Sequence, residues 1–341
     1  MAISISIVGA TGLVGSTLCG LLEEKNFPLK QLFLVASEHS AGKKIAFKNE
    51  LLPVYSLTEF DFKWSQLAFF CVGNELTARY APLATQLGNI VIDKSNCYRQ
   101  HPDVPLIIPE VNKNKVLQYK KMNILASPNC TTIPISVMLK PIYDAVGISR
   151  INIATYQSVS GTGKEGVHEL TEQSKQILNH EAIQPKVYPQ QIAFNILPQI
   201  DAFTENGYTL EEMKMVLEIQ KIFADANLKI NPTAVRVPVF CGHAAAVHIE
   251  TKEKLDRQHA LALLANAPGI TLCQDDTANR YPTPVTNAAG HDAIFVGRIR
   301  EDLSHPLGLN LWVTADNLRK GAALNALQIA ECLIQENAFS S

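Results

Sequence analysis

Ile3-Ser4-Ile5-Ser6-Ile7-Val8-Gly9-Ala10-Thr11-Gly12-Leu13-Val14-Gly15 decides the fold of this chain. Ile3, Ile5, Ile7 and Val8 make a short apolar strand that runs straight into a glycine turn. Thr17-Leu18-Cys19-Gly20-Leu21-Leu22 follows with an apolar face at helical spacing. Strand, glycine turn and helix in that order form a dinucleotide-binding unit. The glycines allow a tight turn and a close approach of backbone to a pyrophosphate, which rests on the helix N-terminus. The spacing, G-x-x-G-x-x-G, is a variant of the commoner fingerprint. Alone it also fits a structural turn, but the flanking strand and helix favour nucleotide binding.

Outward from that turn, residues 1 to about 128 alternate strand and helix patterns. Gln31–Ala36, Ala68–Val72 and Ile90–Asp93 read as strands and Thr77–Leu87 as a helix. Pro102, Pro105 and Pro109 mark an extended stretch, and Asn123–Ala126 leads into Ser127-Pro128-Asn129-Cys130. This is the pattern of a doubly wound α/β sheet. Beyond Cys130 longer alternating strands are expected at Ile151–Val159, Arg236–Ile249, around Val285, at Ile294–Arg300 and at Leu309–Ala315. Helices fit Gly166–Asn179, Leu210–Ala224 and Leu255–Ala265. A mixed or antiparallel sheet with helices on one side follows, hence an α+β second domain. Asn317–Glu336 reads as a final amphipathic helix with Leu318, Ala322, Leu327, Ala330 and Leu333 near one face.

The chain has 341 residues, enough for two domains and a large core. Hydrophobic residues make up 47% and charged ones 18%, as in ordinary globular proteins. A formal net charge of −2 gives no reason to expect nucleic-acid or anionic-membrane partners. No apolar run is long enough to cross a bilayer, and no leader is expected before the first strand. The seven cysteines are scattered without a C-x-x-C pair, so neither a zinc site nor a disulfide framework is signalled, and a cytoplasmic location is expected. Cys71 is expected in a core strand, and Cys19 and Cys332 as helix packing residues. No metal constellation appears; His168 reads as a helix-surface residue.

Two further motifs carry chemistry. Cys130 follows a Pro-Asn turn and precedes Thr131-Thr132 and a helix-compatible stretch. It therefore sits where a helix N-terminus favours negative charge and a thiol leans toward thiolate, a nucleophile for acyl groups. Taken singly, a buried packing cysteine is the better reading. In Val235-Arg236-Val237-Pro238-Val239-Phe240-Cys241-Gly242-His243, Arg236 lies on an apolar strand and its planar fork suits a carboxylate. Gly242-His243 follows at a bend, after which Val247-His248-Ile249-Glu250 resumes the strand pattern, and His243 is a satisfied core histidine or an acid/base.

Together with Gln157-Ser158-Val159-Ser160-Gly161-Thr162-Gly163, Ala193–Asp201 and Gly308–Ala323, these motifs resemble the aspartate-semialdehyde dehydrogenase family from first strand to last helix. The resemblance implies a Rossmann-type doubly wound NADP-binding domain at 1–128 and 318–341. It also implies an α+β catalytic and dimerisation domain at 129–317, the whole being glyceraldehyde-3-phosphate dehydrogenase-like. It implies NADP-dependent interconversion of β-aspartyl phosphate and aspartate semialdehyde, feeding lysine, threonine, methionine and diaminopimelate synthesis. The partners it implies are the small-molecule substrate and phosphate, with a homodimer or a homotetramer as the assembly.

Residue by residue, the resemblance makes Cys130 the nucleophile, His243 the acid/base and Gln157 a substrate-orienting group. Arg236 clamps the α-carboxylate, Glu211 pairs with the α-ammonium, and Lys214, Arg99 and Asn129 serve the phosphate. Gly9, Thr11, Gly12, Leu13, Val14, Ser37, His39, Ser40, Ser160, Gly161 and Asn317 bind the cofactor. Read singly, Glu211 and Lys214 are an exposed helical ion pair, Arg99 a loop arginine, Gln157 a polar strand end and Asn129 a turn-former. One departure stands out. Ser37-Glu38-His39-Ser40 has histidine where relatives carry the arginine that meets the 2′-phosphate, with Ser37, Ser40 and Lys43 still able to hold one. A reduced preference for NADP over NAD follows. Ser127, where relatives often have asparagine, should alter the approach to Cys130 little. An N-acetyl-glutamyl-phosphate reductase shares the fold but needs no acidic partner for an ammonium. A non-catalytic paralogue is the remaining alternative, although the nucleophile, histidine and arginines are all present.

Overall fold

The computed structural model describes residues 2–273 and 280–339, so residues 1, 340 and 341 of the expected nucleotide domain lie outside it. The chain divides into two compact units, Met1–Asn129 with Ala322–Ser341, and Cys130–Gly321.

The first unit is built on β1 (Ile3–Val8), α1 (Leu13–Glu24), β2 (Leu29–Ala36), β3 (Lys44–Phe47), β4 (Glu50–Ser56), β5 (Leu67–Phe70), α2 (Asn74–Gln86), β6 (Ile90–Asp93), α3 (Pro109–Asn112) and β7 (Ile124–Ala126). Its sheet runs β3-β4-β2-β1-β5-β6-β7. Every pairing is parallel except β3 with β4. β1 is buried along its whole length, as a central parallel strand covered on both faces must be. Ile3, Ile5 and Ile7 join Leu18, Leu21 and Leu22 of α1 in the main core. The serines between them face the other layer, where Ser6 Oγ lies 3.0 Å from Ser65 Oγ. The hairpin of β3 and β4 escaped the sequence reading, because Lys44, Lys48, Asn49, Glu50 and Pro53 mask its alternation.

The second unit comprises α4 (Thr132–Val146), β8 (Ile148–Gln157), α5 (Lys164–Leu178), α6 (Leu210–Phe223), β9 (Lys229–Arg236), β10 (His243–Thr251), α7 (Arg257–Ala265), β11 (Ile270–Cys273), β12 (Ile294–Glu301) and β13 (Gly308–Ala315). The sheet order is β11-β12-β13-β10-β8-β9, mixed as expected. β8 pairs parallel with β9 and antiparallel with β10. Helices α4, α6 and α7 pack on the sheet and on one another. Ile151, Ile153 and Thr155 of β8 are buried, whereas Asn152, Ala154 and Tyr156 on the opposite face keep solvent contact.

Four sequence expectations are corrected. Arg236–Ile249 is not one strand: it breaks at residues 237–242, and the two halves flank β8 on opposite sides. Pro238 lacks the ladder N–H, and Gly242 adopts φ +88°, where a Cβ would lie 2.9 Å from Pro284 O. Val285 belongs to a helical turn, Pro284–Ala288, whose start is capped by Thr283 Oγ1 accepting from Thr286 N at 3.2 Å. Cys71 lies just past β5 and is only partly buried. The last helix is not continuous from Asn317. A π-type turn spans Arg319–Ala323, and α8 occupies Leu324–Gln335. Asp316 organises that turn, its carboxylate accepting from Leu318 N and Arg319 N at 2.8 and 2.9 Å. α8 then buries Leu324, Asn325, Ala326, Leu327, Ile329, Ala330 and Leu333, far more than one stripe. No described helix is long and apolar enough to cross a membrane.

Candidate active site

In the first unit a cleft of about 560 Å³ opens at the carboxyl ends of β1, β2 and β5. Gly9, Thr11 and Gly12 line it beside Ser37, Glu38, His39, Ser56, Thr58, Cys71, Arg79 and Tyr80. Gly9 takes φ +88°, and a Cβ there would lie 2.5 Å from Cys71 O; one on Gly15 would lie 2.2 Å from Gly9 O. Turn and helix therefore meet backbone to backbone. Gly12 caps α1 and brings no side chain over the first-turn N–H groups. These features fit a dinucleotide pyrophosphate. Leu13 and Val14 sit in the first turn of α1 and are half-buried. Ser40 is buried, Lys43 is exposed, and neither lines the cleft.

Also in this unit, Arg99 is 6% exposed, donating from Nε to Ser127 O at 3.0 Å and from Nη2 to Lys94 O at 2.8 Å. Asn129 is buried. Lys94, which the sequence reading passed over, donates to Ser127 Oγ and Pro128 O, so it shapes the segment that leads into Cys130.

The second unit gathers Gln157, Arg236 and His243 at one end of its sheet. Gln157 and Arg236 are register partners across β8 and β9, and His243 opens β10. A Cβ placed on Gly161 would lie 2.9 Å from Arg236 Nη1 and 3.3 Å from His243 Nε2, so both side chains converge on the space a glycine leaves. Arg236 Nη1 donates to Ser158 O at 2.9 Å. Ser158 N donates to His243 Nδ1 at 3.0 Å. With Nδ1 accepting, the neutral ring carries its proton on Nε2, which is buried and has no protein partner. Burial, reinforced by the charge of Arg236, pushes the imidazole down to about 3. Ser160 and Asn317 are buried and bonded to each other. Asn317 Oδ1 also accepts from Gly242 N at 2.9 Å, locking the two loops that carry Gly161 and His243.

Gln157 Nε2 donates to Glu211 Oε1 at 3.2 Å, and Glu211 Oε2 meets Lys214 Nζ at 3.2 Å. Glu211 is 5% exposed, so this is not the surface pair it resembles in isolation. Asp201, unforeseen, completes the chain at 2.9 Å from Lys214. Burial opposes the charge of Lys214, but Glu211 and Asp201 together outweigh it and raise the ammonium. Burial likewise works against the Asp201 carboxylate, yet Lys214 leaves it lowered. Glu212 aims this helix. It shares a capping box with Thr209 and accepts from Ala234 N at 2.8 Å, tying α6 to β9.

Cys130 is half-buried, two residues before α4, and backs onto Gly321, where a Cβ would come within 3.1 Å of its own. Burial raises the thiols of the other six cysteines, those of Cys19 and Cys71 to about 12 and that of Cys241 to about 11. Among the described residues no cluster of histidine, cysteine and carboxylate side chains could hold a metal.

A second set of unforeseen residues holds the approach to Gly161. Glu169 accepts from Lys186 N and Tyr188 N at 3.1 and 3.4 Å, and Gln173 accepts from Ile192 N at 2.9 Å. Tyr188 in turn donates to Thr162 Oγ1 at 2.9 Å. Their spacing of four along α5 was the available signal, but their partners lie about twenty residues on.

Residues 4–119 match the family model described as semialdehyde dehydrogenase, NAD binding domain, and residues 139–320 the one described as semialdehyde dehydrogenase, dimerisation domain. An aspartate-semialdehyde dehydrogenase of Legionella pneumophila is 54% identical over 334 residues, covering 98% of this chain and 96% of that protein. Aspartate-semialdehyde dehydrogenase 2 of Vibrio cholerae is 50% identical over 333 residues, 98% of each. A crystal structure of aspartate semialdehyde dehydrogenase II from Vibrio cholerae, complexed with ASA, is 49% identical with a TM-score of 0.96. That match covers 98% of this chain and 99% of the other.

Proposed function

The chain belongs to the aspartate-semialdehyde dehydrogenase family, and we propose that it interconverts L-aspartyl 4-phosphate and L-aspartate 4-semialdehyde with NADP. The observation that carries this reading is the convergence of Arg236 and His243 on Gly161, beside Gln157 and the buried Glu211. A fork for a carboxylate, an acid for an ammonium and an imidazole suit an amino-acid acyl group.

In the biosynthetic direction the Cys130 sulfur attacks the acyl carbon, phosphate leaves, and a thioester forms on the chain itself. Arg236 holds the α-carboxylate and Glu211 the α-ammonium, which fixes the acyl carbon before the thiol. Lys214, Arg99 and Asn129 serve the phosphate. Gln157 orients the acyl group. His243 presents Nε2–H, so in its resting tautomer it donates a hydrogen bond to the oxygen that becomes anionic as the tetrahedral adduct forms. Acting as a full acid or base requires the ring to exchange tautomers and give up the Ser158 N–H. The dinucleotide, when bound, supplies the reducing equivalent that converts thioester to aldehyde, after which the thiol is regenerated. Gly9, Thr11, Gly12, Leu13 and Val14 would hold its pyrophosphate, and Ser37 and His39 its ribose side; Ser40, which does not line the cleft, is left out of that set. Ser160, Gly161 and Asn317 are assigned to the cofactor as well. Residues 1–128 with 318–341 form the cofactor domain and 129–317 the catalytic and dimerisation domain of a cytoplasmic homodimer.

Phosphate-dependent reduction of NADP with L-aspartate semialdehyde tests the reading, run beside NAD and beside N-acetyl-glutamate semialdehyde. Turnover of the free amine is expected. Turnover of the acetylated substrate alone refutes the roles given to Glu211 and Arg236. Silence with both, from protein that binds nucleotide, makes this a non-catalytic paralogue.

A further inference from the structure

The cleft of the first unit needs a cation that its β2 wall does not provide as an arginine. A 2′-phosphate is best held by a planar fork of permanent charge, whereas a histidine carries full charge over only part of the physiological range. Position 39, at the end of β2, is a histidine. Glu38 stands next to it in the same wall, and its Oε1 accepts from Thr58 Oγ1 at 3.1 Å. Helix α2 contributes Leu76, Arg79 and Tyr80 to the lining. Arg79 is the one arginine among the described lining residues, and no lysine is among them. It is exposed, and its guanidinium carbon lies 5.1 Å from the Tyr80 ring centroid. That distance lies within cation–π range, and the exposed guanidinium still carries its N–H donors on the cleft lining. Leu76 and Arg79 are spaced i, i+3, so both project from one side of the helix, an apolar surface beside a fork.

We propose that Arg79 is the specificity-determining residue for the 2′-phosphate, taking from α2 the part that the family's arginine takes from the end of β2. The proposal rests on the dinucleotide reading above. It assigns His39 and Ser37 a supporting role and directs Glu38 to Thr58 rather than to a ribose hydroxyl.

Equilibrium binding of 2′,5′-ADP and of 5′-AMP, measured by calorimetry on the whole protein, separates the possibilities without turnover. The wild type should favour 2′,5′-ADP by roughly tenfold or more, the scale of a charge-assisted bidentate contact. Arg79→Leu should lose about that factor for 2′,5′-ADP and leave 5′-AMP within about twofold. Arg79→Lys should recover part of the loss as a point charge. Equal loss for both ligands means that Arg79 stacks on the base and overturns the proposal, as does no loss for either. Wild-type protein that binds neither ligand overturns the dinucleotide reading along with it, whereas wild-type preference for 5′-AMP overturns this proposal alone.

Discussion

His243→Asn should flatten part of the acid sensitivity of folding. Asparagine places an oxygen where Nδ1 stands, so the Ser158 N–H keeps an acceptor while the titrating group disappears. In the native chain the imidazole is driven from its ordinary 6.5 to about 3 by burial and then by Arg236. The unfolded chain therefore takes up a proton that the folded chain refuses. Stability from this group is fully present above 6.5, is lost as pH falls toward the folded value, and is constant below it. Between pH 7 and pH 5 the wild type should lose about 2 kcal/mol relative to the variant. That figure hardly changes for any folded value of about 4 or below, because by pH 5 the native ring is still neutral. Urea unfolding at pH 7, 6 and 5 measures it, followed by tryptophan fluorescence in a Trp64→Phe background, which leaves Trp312, whose strand β13 pairs with the β10 that His243 begins, as the reporter. Parallel pH profiles for the two proteins would refute the buried, neutral assignment and with it the resting donor role of Nε2.

Three further outcomes are expected. Cys130→Ala should abolish phosphate-dependent oxidation of the semialdehyde with the thermal unfolding curve kept; substantial residual turnover moves the nucleophile elsewhere. Gly161→Ala should lower kcat/KM for the semialdehyde by about 10- to 100-fold, since its methyl enters the space between Arg236 and His243. Denaturant unfolding should show a cost of about 1–3 kcal/mol, because the new methyl forces the buried Arg236 to shift, and unaltered kinetics would show that substrate does not use this space. Glu169→Gln should cost about 1–3 kcal/mol, because its amide NH2 must then face either the N–H groups of Lys186 and Val187 or those of Tyr188 and Gln173. Denaturant unfolding and proteolysis of the 181–190 segment measure that loss, and wild-type values for both would remove Glu169 as the clamp.

Local features were legible. The glycine turn declares itself because strand, turn and helix are neighbours in the chain, and Cys130 could be placed before a helix for the same reason. The reading failed where the determinant was not local. Asp316 organises the turn before the last helix through its carboxylate, and although Gly242 marks a bend, alternation could not reveal that Arg236 and His243 end up on strands that flank β8 on opposite sides. Glu211 resembled a surface charge until Gln157, fifty-four positions earlier, was found beside it.

By itself, then, the sequence determined the α/β character of the first unit, the glycine turn and, through a family resemblance, the residues proposed to react. Backbone conformation and hydrophobic period are set by residues within a few positions of one another. Tertiary structure alone decided what surrounds those residues: the acceptor role of His243 Nδ1, the burial of Glu211, the Asp201 contact that holds Lys214, and the place of Arg79 in the cleft beside the glycine turn. Each depends on which strands lie side by side, since burial and charge act through space and not along the chain.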